Sequence, residues 1–325
     1  MAKPCVRVYN GDGAGSRSVL STVEALHQVL KPDLEVHQMS PQELLAGEWH
    51  DSSLALVMPG GADLPYCRKL NGKGNCIIRA FVENGGAYIG LCAGAYYASS
   101  YVEFGIGTKL EVKGSRELAF FKGKAVGPVY PGFCYESEAG AHAAPIAFRP
   151  LSSSSDSSSP DAGVRDLERE AKDPVASSTG TPEVRVRCRD YSNGGPFFQP
   201  LAEGPAARQV MAASAGAAEN FTVLAVYTEK EDAIAALKCH VGRGRAVLVG
   251  THPELAPKWL ASQTDAVAID QSFREDCPTQ QSDEDVREGV REQLQRWSKE
   301  RHEYLCMLLH EAGLGEHVCM TSPHI

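Results

Sequence analysis

One nine-residue stretch limits what this chain can become: Ala87-Tyr88-Ile89-Gly90-Leu91-Cys92-Ala93-Gly94-Ala95. An apolar run ends at a cysteine with glycines two places before and two places after it, and a helix-compatible run follows. That spacing suits a sharp strand-to-helix turn, where the central residue takes a strained backbone conformation and bulky neighbours would clash. Such an elbow lifts its side chain above the carboxyl end of a sheet. It also sets the sulfur at a helix N-terminus, whose partial positive charge favours thiolate. A buried core cysteine beside a glycine turn is the competing reading of this stretch alone.

A second stretch supplies a partner. Ala246-Val247-Leu248-Val249-Gly250 reads as a buried strand and runs into Thr251-His252-Pro253-Glu254. Pro253 biases His252 toward an extended conformation, and in an extended chain residues i and i+2 lie on one side. His252 and Glu254 can therefore stand together, the carboxylate orienting the imidazole. Thiol, base and orienter then occur in the order Cys92, His252, Glu254, each past the end of a strand. A loop histidine with an exposed glutamate is the alternative.

The rest of the chain indicates the sheet that would hold them. Val6–Tyr9, Leu34–Met39 and Ser53–Met58 read as strands, and Ser16–Leu30 and Asn75–Asn84 as helices, with Ser16 or Ser18 capping the first. Ser40-Pro41-Gln42-Glu43 is a capping box opening a short helix to about Ala46. Gly11 to Gly15 lacks the G-x-G-x-x-G spacing of a dinucleotide loop and reads as a loop at the sheet edge. The implied fold is an open, mostly parallel, doubly wound α/β sheet of flavodoxin-like type, with the site at its carboxyl edge.

From Tyr101 to Phe148 recurring glycines and alternation predict added hairpins. The aromatics there (Phe120, Phe121, Tyr130, Phe133, Tyr135) fit a core better than a ligand wall. Arg116 and Glu138 are polar residues in this zone that fit either the cleft or the surface. Residues 151–182 are rich in Ser, Pro and Asp and form a disordered insertion by composition. Tyr191 to Gly195 reads as a turn, 209–218 as a loop, Thr222–Thr228 as a strand, and Asp232–Lys238 as helix or strand. A C-terminal helix with Val286, Val290, Leu294, Trp297, Leu305, Leu308 and Leu309 on one face runs to about Gly313. The domain organisation expected is 1–260 as one domain, with 261–325 as a helical extension packed on it.

Composition excludes several classes. A net charge of −9 lacks the basic footprint that nucleic acid requires. No apolar run reaches the roughly 18–20 residues of a membrane span, and the N-terminus lacks the apolar segment of a signal peptide. Ten cysteines without a Cys-x-x-Cys spacing suit a reducing compartment such as the cytoplasm. His and Cys do not cluster at ligand spacing, so neither a metal nor another cofactor is expected.

Gly90-Leu91-Cys92-Ala93-Gly94 together with Gly250-Thr251-His252-Pro253-Glu254 resembles the class I glutamine amidotransferase superfamily. A closer resemblance, to the amidotransferase-like N-terminal domain of eukaryotic biotin-protein ligases, rests on many motifs in order. They include Val8-Tyr9-Asn10-Gly11, Met58-Pro59-Gly60-Gly61-Ala62-Asp63-Leu64-Pro65-Tyr66, Gly114-Ser115-Arg116, Gly127-Pro128-Val129-Tyr130, Ser137-Glu138-Ala139-Gly140-Ala141 and Tyr191-Ser192-Asn193-Gly194-Gly195. The resemblance implies an oxyanion hole from the Gly61 and Ala93 amides. It makes Gly60, Asp63, Tyr66, Tyr96, Arg116 and Glu138 candidates for substrate binding. It departs from the glutamine-using pattern at Tyr96, where those relatives usually carry a glutamine. Gly242-Arg243-Gly244-Arg245 is similar to a biotin-adenylate loop in composition, but its place between two strands predicts a hairpin turn. With about 65 residues left after the matched stretch around His252, which ends near Leu260, the ligase catalytic core is not expected in this chain.

Two functions follow from these residues. One is thiol-dependent amide hydrolysis or amidotransfer through a thioester on Cys92, acting on a small amide or related carbonyl compound. The other is a catalytically silent binding or regulatory module whose partner belongs to protein biotinylation.

Overall fold

The computed structural model describes residues 3–135, 137–151, 185–200, 220–260 and 283–319. The Ser-rich stretch 152–182 and the loop expected at 209–218 lie outside the described residues. In chain order the elements are β1 (Cys5–Tyr9), α1 (Ser16–Val29), β2 (Glu35–Met39), α2 (Pro41–Ala46), β3 (Ser53–Met58), α3 (Asp63–Leu70), α4 (Lys73–Glu83), β4 (Ala87–Leu91) and α5 (Ala93–Tyr97). Then come β5 (Ser99–Phe104), β6 (Val112–Ser115), β7 (Phe121–Gly127), β8 (His142–Phe148), β9 (Val186–Ser192), β10 (Phe197–Pro200), β11 (Phe221–Tyr227), β12 (Ala233–Val241) and β13 (Gly244–Val249). The chain closes with α6 (Asp283–Arg296) and α7 (Ser298–Leu309).

The main sheet runs β2-β1-β3-β4-β13-β12-β10-β7-β5-β6. The first five strands are parallel throughout, so this half is the open α/β sheet expected, buried on both faces. Each strand divides its side chains between those faces. Val6 and Val8, Ala55 and Val57, and Ala87, Ile89 and Leu91 point one way, under Val19 and Leu26 of α1 and Tyr304 and Leu308 of α7. Tyr9, Leu56, Met58 and Tyr88 point the other way, under α2 to α5 through Leu44, Tyr66, Ile78 and Tyr97. This two-sided burial is why the strands read as continuous apolar runs.

Beyond β13 the sheet turns antiparallel through β12 and β10, with β8, β9 and β11 attached at its side. The β5–β6 hairpin is of the kind expected, whereas β7 joins β5 in parallel. The Gly242 tetrad is the β12–β13 turn, with Gly242 at φ 59° and the Arg243 N–H bonded to the Glu83 carbonyl.

Several local expectations need correction. The capping box at Ser40 is present, Glu43 Oε2 accepting the Ser40 N–H at 2.8 Å. The cap of α1, however, is Gly15 and not a serine, because the Ser18 hydroxyl is used elsewhere. The helix α3 was not expected. Its proline, Pro65, falls in the first turn, where no intrahelical N–H is lost. Residues 233–241 form a strand, since β11 and β13 pair on either side. Tyr191 and Ser192 end β9 instead of opening a turn. The single C-terminal helix expected is two, broken at Trp297, whose φ/ψ of −105°/17° departs from helical geometry. The helix α6 packs Val290 and Leu294 onto Ala143, Tyr191 and Leu255. Among the described residues no helix is long and apolar enough to cross a membrane.

Candidate active site

The cysteine side is set by backbone sterics. Cys92 sits at φ 46° and ψ −99° between β4 and α5, a conformation costing on the order of 1–3 kcal/mol for a side chain. The flanking glycines have separate reasons. A Cβ on Gly94 would lie 2.1 Å from the Met58 carbonyl oxygen, and one on Gly90 would lie 2.6 Å from the Gly94 carbonyl oxygen. The helix that follows has only five residues, so its macrodipole is a weaker influence on the sulfur than the sequence suggests. The nearer charge is the imidazole.

The histidine side is set by pairing. Strands β4 and β13 are parallel neighbours with Leu91 opposite Val249, and the Cys92 N–H continues the ladder to the Val249 carbonyl at 2.9 Å. Both loops therefore leave the same sheet edge side by side. His252 Nδ1 meets Glu254 Oε1 at 2.8 Å, both residues buried, with the Cys92 sulfur close enough to act on the ring electrostatically. Burial alone would depress this imidazole, but the Glu254 carboxylate and the Cys92 sulfur outweigh it. Together they hold the ring well above its ordinary value.

Distant residues hold the loop. The His252 N–H donates to the Tyr191 carbonyl at 2.8 Å, and the Tyr191 ring stands edge-on to the imidazole at 5.6 Å. Arg301 of α7 donates from Nη2 to the His252 and Leu255 carbonyls at 3.2 and 2.9 Å, and from Nε to Asp190 Oδ1 at 2.8 Å. Ser18 of α1 donates to Glu254 Oε1 at 3.3 Å and accepts the Gly60 N–H at 2.8 Å. Sequence reasoning missed these three. Arg301 and Asp190 are 111 positions apart, and nothing local marks either.

Gly61 and Ala93 line one narrow pocket with Cys92. Ala93 heads α5, so its N–H has no intrahelical acceptor, and no described backbone acceptor takes the Gly61 N–H. Gly61 lies at φ 143° with Gly13 against it; a Cβ there would be 2.0 Å from the Gly13 carbonyl oxygen. Hence Gly11–Gly15 braces the Gly60–Gly61 loop, Gly15 N–H donating to the Gly60 carbonyl at 2.9 Å.

The other candidates divide. Asp63 and Tyr96 line the pocket, together with Phe104, Phe133, Tyr135 and Asn193. Tyr66 does not: it is fully buried, its hydroxyl donating to the Pro59 carbonyl at 3.0 Å. Gly60 packs under the imidazole, where a Cβ would come 2.4 Å from the ring. Arg116 lies behind Asp63, paired at 2.6 Å. Glu138 pairs with Arg17 at 2.6 Å and accepts the Tyr191 hydroxyl at 2.6 Å, bracing the histidine side from outside the pocket. Phe120, Phe121 and Tyr130 are core, while Phe133 is half-buried and Tyr135 exposed. Among the described residues no group of three or more His, Cys, Asp or Glu side chains is placed to hold a metal ion.

Comparison with known proteins adds the lineage. The family model described as biotin-protein ligase, N terminal, matches residues 5–322. The chain is 33% identical over 254 residues to the biotin-protein ligase of Schizosaccharomyces pombe, covering 77% of this chain and 33% of that protein. It is 38% identical over 151 residues to an uncharacterized protein of Chlamydia muridarum, covering 44% of this chain and 56% of that one. The chain thus spans about a third and just over half of these relatives' lengths. Among solved structures, PurLQS from Thermotoga maritima matches at 14% identity and a TM-score of 0.44, over 78% of this chain and 88% of that one. A glutamine amidotransferase structure matches at 17% and 0.44, over 77% and 90%. The chain belongs to the biotin-protein ligase N-terminal family.

Proposed function

We propose that this domain is a thiol-dependent acyl-transfer enzyme acting on a small amide or related carbonyl compound. Cys92 attacks the carbonyl carbon and forms an S–C bond, its proton residing on His252. The Gly61 and Ala93 amides receive the charge that develops on oxygen, a contribution of several kcal/mol in such sites. His252 then gives its proton to the departing amine as the C–N bond breaks, leaving a thioester. Water attacks the thioester with His252 as base, releasing the acid and restoring the thiol. Glu254 fixes the ring tautomer throughout. The observation that carries this reading is a strained cysteine at the same sheet edge as a buried imidazole oriented by a carboxylate at 2.8 Å. Strain of that kind persists where surrounding structure is built to hold it. A reducing cytoplasm would keep the Cys92 thiol free.

The test is a mild haloacetamide with adduct mapping by mass spectrometry. Single labelling at Cys92, slowed at least tenfold by His252→Ala, is the expected result. Equal labelling of the exposed Cys76, or no effect of the histidine, would remove the enzyme reading. A second reading, a silent binding or regulatory module that works with protein biotinylation, draws on the ligase kinship and on Tyr96. The Tyr96 hydroxyl is engaged with the Gly194 carbonyl at 3.0 Å, so this side chain offers substrate a ring face in the place of an amide. Under either reading we take residues 1–260 and the C-terminal helices as one working unit, because Arg301 holds the His252 loop.

A further inference from the structure

The pocket beside Cys92 has a definite chemical character. Tyr96, Phe104, Phe133 and Tyr135 form a continuous edge-to-face series, with successive ring centroids 5.8, 5.3 and 5.0 Å apart. It leads from the sulfur to the surface, where Tyr135 is 40% exposed. The polar groups in the same lining are mostly already used. The Tyr96 hydroxyl donates to Gly194, Asn193 Nδ2 donates to the Ser137 carbonyl at 2.9 Å, and Asp63 Oδ2 accepts from Arg116. What faces a ligand is therefore largely carbon.

Charge narrows the choice further. Among the described residues no cation lines the pocket. Arg116 is buried behind Asp63 and also donates from Nη1 to the Gly114 and Ser115 carbonyls at 3.0 and 3.2 Å, which leaves only its Nη2 without a partner. Arg17 is committed to Glu138 and Tyr191. A free carboxylate entering this pocket would meet the Asp63–Arg116 pair and no other cation among the described lining residues, and a buried unpaired charge is strongly disfavoured. Asn193 Oδ1, buried without a partner, is an acceptor suited to a neutral N–H. The lined space opens to the surface at Tyr135, so a chain or ring longer than its enclosed part extends along the aromatic rim.

Resting on the acyl-transfer reading above, we propose that the pocket selects an uncharged, apolar or aromatic acyl group and rejects a zwitterionic one such as free glutamine. Asn193 Oδ1 takes an amide N–H, and the ring series holds the acyl carbon chain. In the acylation step with an aryl ester, the thiolate–carbonyl bond forms and the C–O bond breaks, p-nitrophenolate leaving as the anion.

The test uses the full chain and three p-nitrophenyl esters: butyrate, phenylacetate and glutarate. Second-order acylation rates at Cys92 are corrected for each ester's reactivity with a simple thiol. Butyrate and phenylacetate are expected to react at least tenfold faster than glutarate. Tyr135→Lys, a change at an exposed rim position, should narrow that ratio several-fold by supplying the missing cation. A glutarate rate equal to or above the neutral esters overturns the proposal. A separate arm needs no chemistry: Cys92→Ala protein is titrated with phenylacetamide and with glutamine by calorimetry. Tighter binding of phenylacetamide supports the proposal, and tighter binding of glutamine overturns it. Failure of every ester to acylate Cys92 would sink the nucleophile reading alone, with the binding arm still deciding the pocket.

Discussion

The cysteine side and the histidine side of the site meet at one sheet edge but are built by different physics. The cysteine side is local and steric. Residues 90–94 fold as they do because Gly90 and Gly94 approach backbone where a Cβ would collide, and the Gly60–Gly61 loop is held the same way against Gly13. The histidine side is long-range and polar. His252 is held by Tyr191, Glu254, Ser18 and Arg301, contributed by β9, its own loop, α1 and α7. The two constructions should fail differently. Steric construction fails when volume is added, and polar construction when a partner is withdrawn.

Withdrawal at the deepest pair gives the largest expected effect. Arg301 and Asp190 have side chains 5% and 0% exposed, and Arg301→Met leaves the Asp190 carboxylate buried without its cation. Loss of one member of such a pair costs about 3–5 kcal/mol. Urea unfolding should report that loss, and adding Asp190→Leu should return much of it, since an apolar pair avoids the stranded charge. If the double variant is no better than the single one, the histidine side is not polar construction in the sense argued here.

Added volume on the other side comes next. Gly94→Ala places its Cβ against the Met58 carbonyl, a backbone atom that cannot swing away. Overpacking of this kind costs about 1–3 kcal/mol, and Cys92 labelling should slow with it. A neutral outcome in both readouts would mean the elbow relaxes freely, and the contrast between the two sides would dissolve.

The same contrast explains what could be read from the sequence. Steric construction leaves a local signature: glycines two places either side of a cysteine, and a His-Pro-Glu run whose i and i+2 side chains share a side. The parallel half of the sheet was legible for a similar reason, since each strand is an apolar run buried on both faces. Polar construction leaves none. Arg301 sits within an ordinary amphipathic helix, and Ser18 looked like a helix cap until its hydroxyl was seen to bond Gly60 and Glu254. Arg116 and Glu138 read as polar residues fitting either the cleft or the surface, and neither lines the pocket. Each is taken up by a partner, Asp63 or Arg17, that sequence spacing cannot reveal. The break at Trp297 had no Gly or Pro to announce it.

Proton linkage tests the histidine side without removing a contact. The folded-state value of His252 is raised above the roughly 6.5 of an unfolded histidine. A raised value means the folded state binds this proton more tightly, so the stabilisation is fully present below about pH 6.5. It is lost as pH rises through the folded value. Wild type should therefore lose stability relative to His252→Gln on going from pH 6.5 toward 9. The slope can reach at most about 1.4 kcal/mol per pH unit for one proton. Chemical unfolding of both proteins across that range measures it, and a difference that is flat or grows with pH contradicts the raised value.

Ser18 tests the seam between the two sides, because its hydroxyl touches one component of each. It holds the Gly60 N–H, and so the loop that carries Gly61, and it donates to Glu254 Oε1, the oxygen that also holds the imidazole. Glu254 Oε2 is buried with no partner, so Oε1 alone carries the carboxylate's hydrogen bonds. Ser18→Ala removes two bonds of about 1 kcal/mol or less net each and should lower stability by roughly 1 kcal/mol, the smallest of these effects. Its chemical consequence should be selective. Haloacetamide alkylation builds no oxyanion and needs only the sulfur and His252, whereas ester acylation also needs the Gly61 amide in place. Acylation should therefore fall several-fold further than alkylation. Equal losses would mean that Ser18 serves the histidine side alone, and that the oxyanion loop is held by the Gly13–Gly61 contact without it.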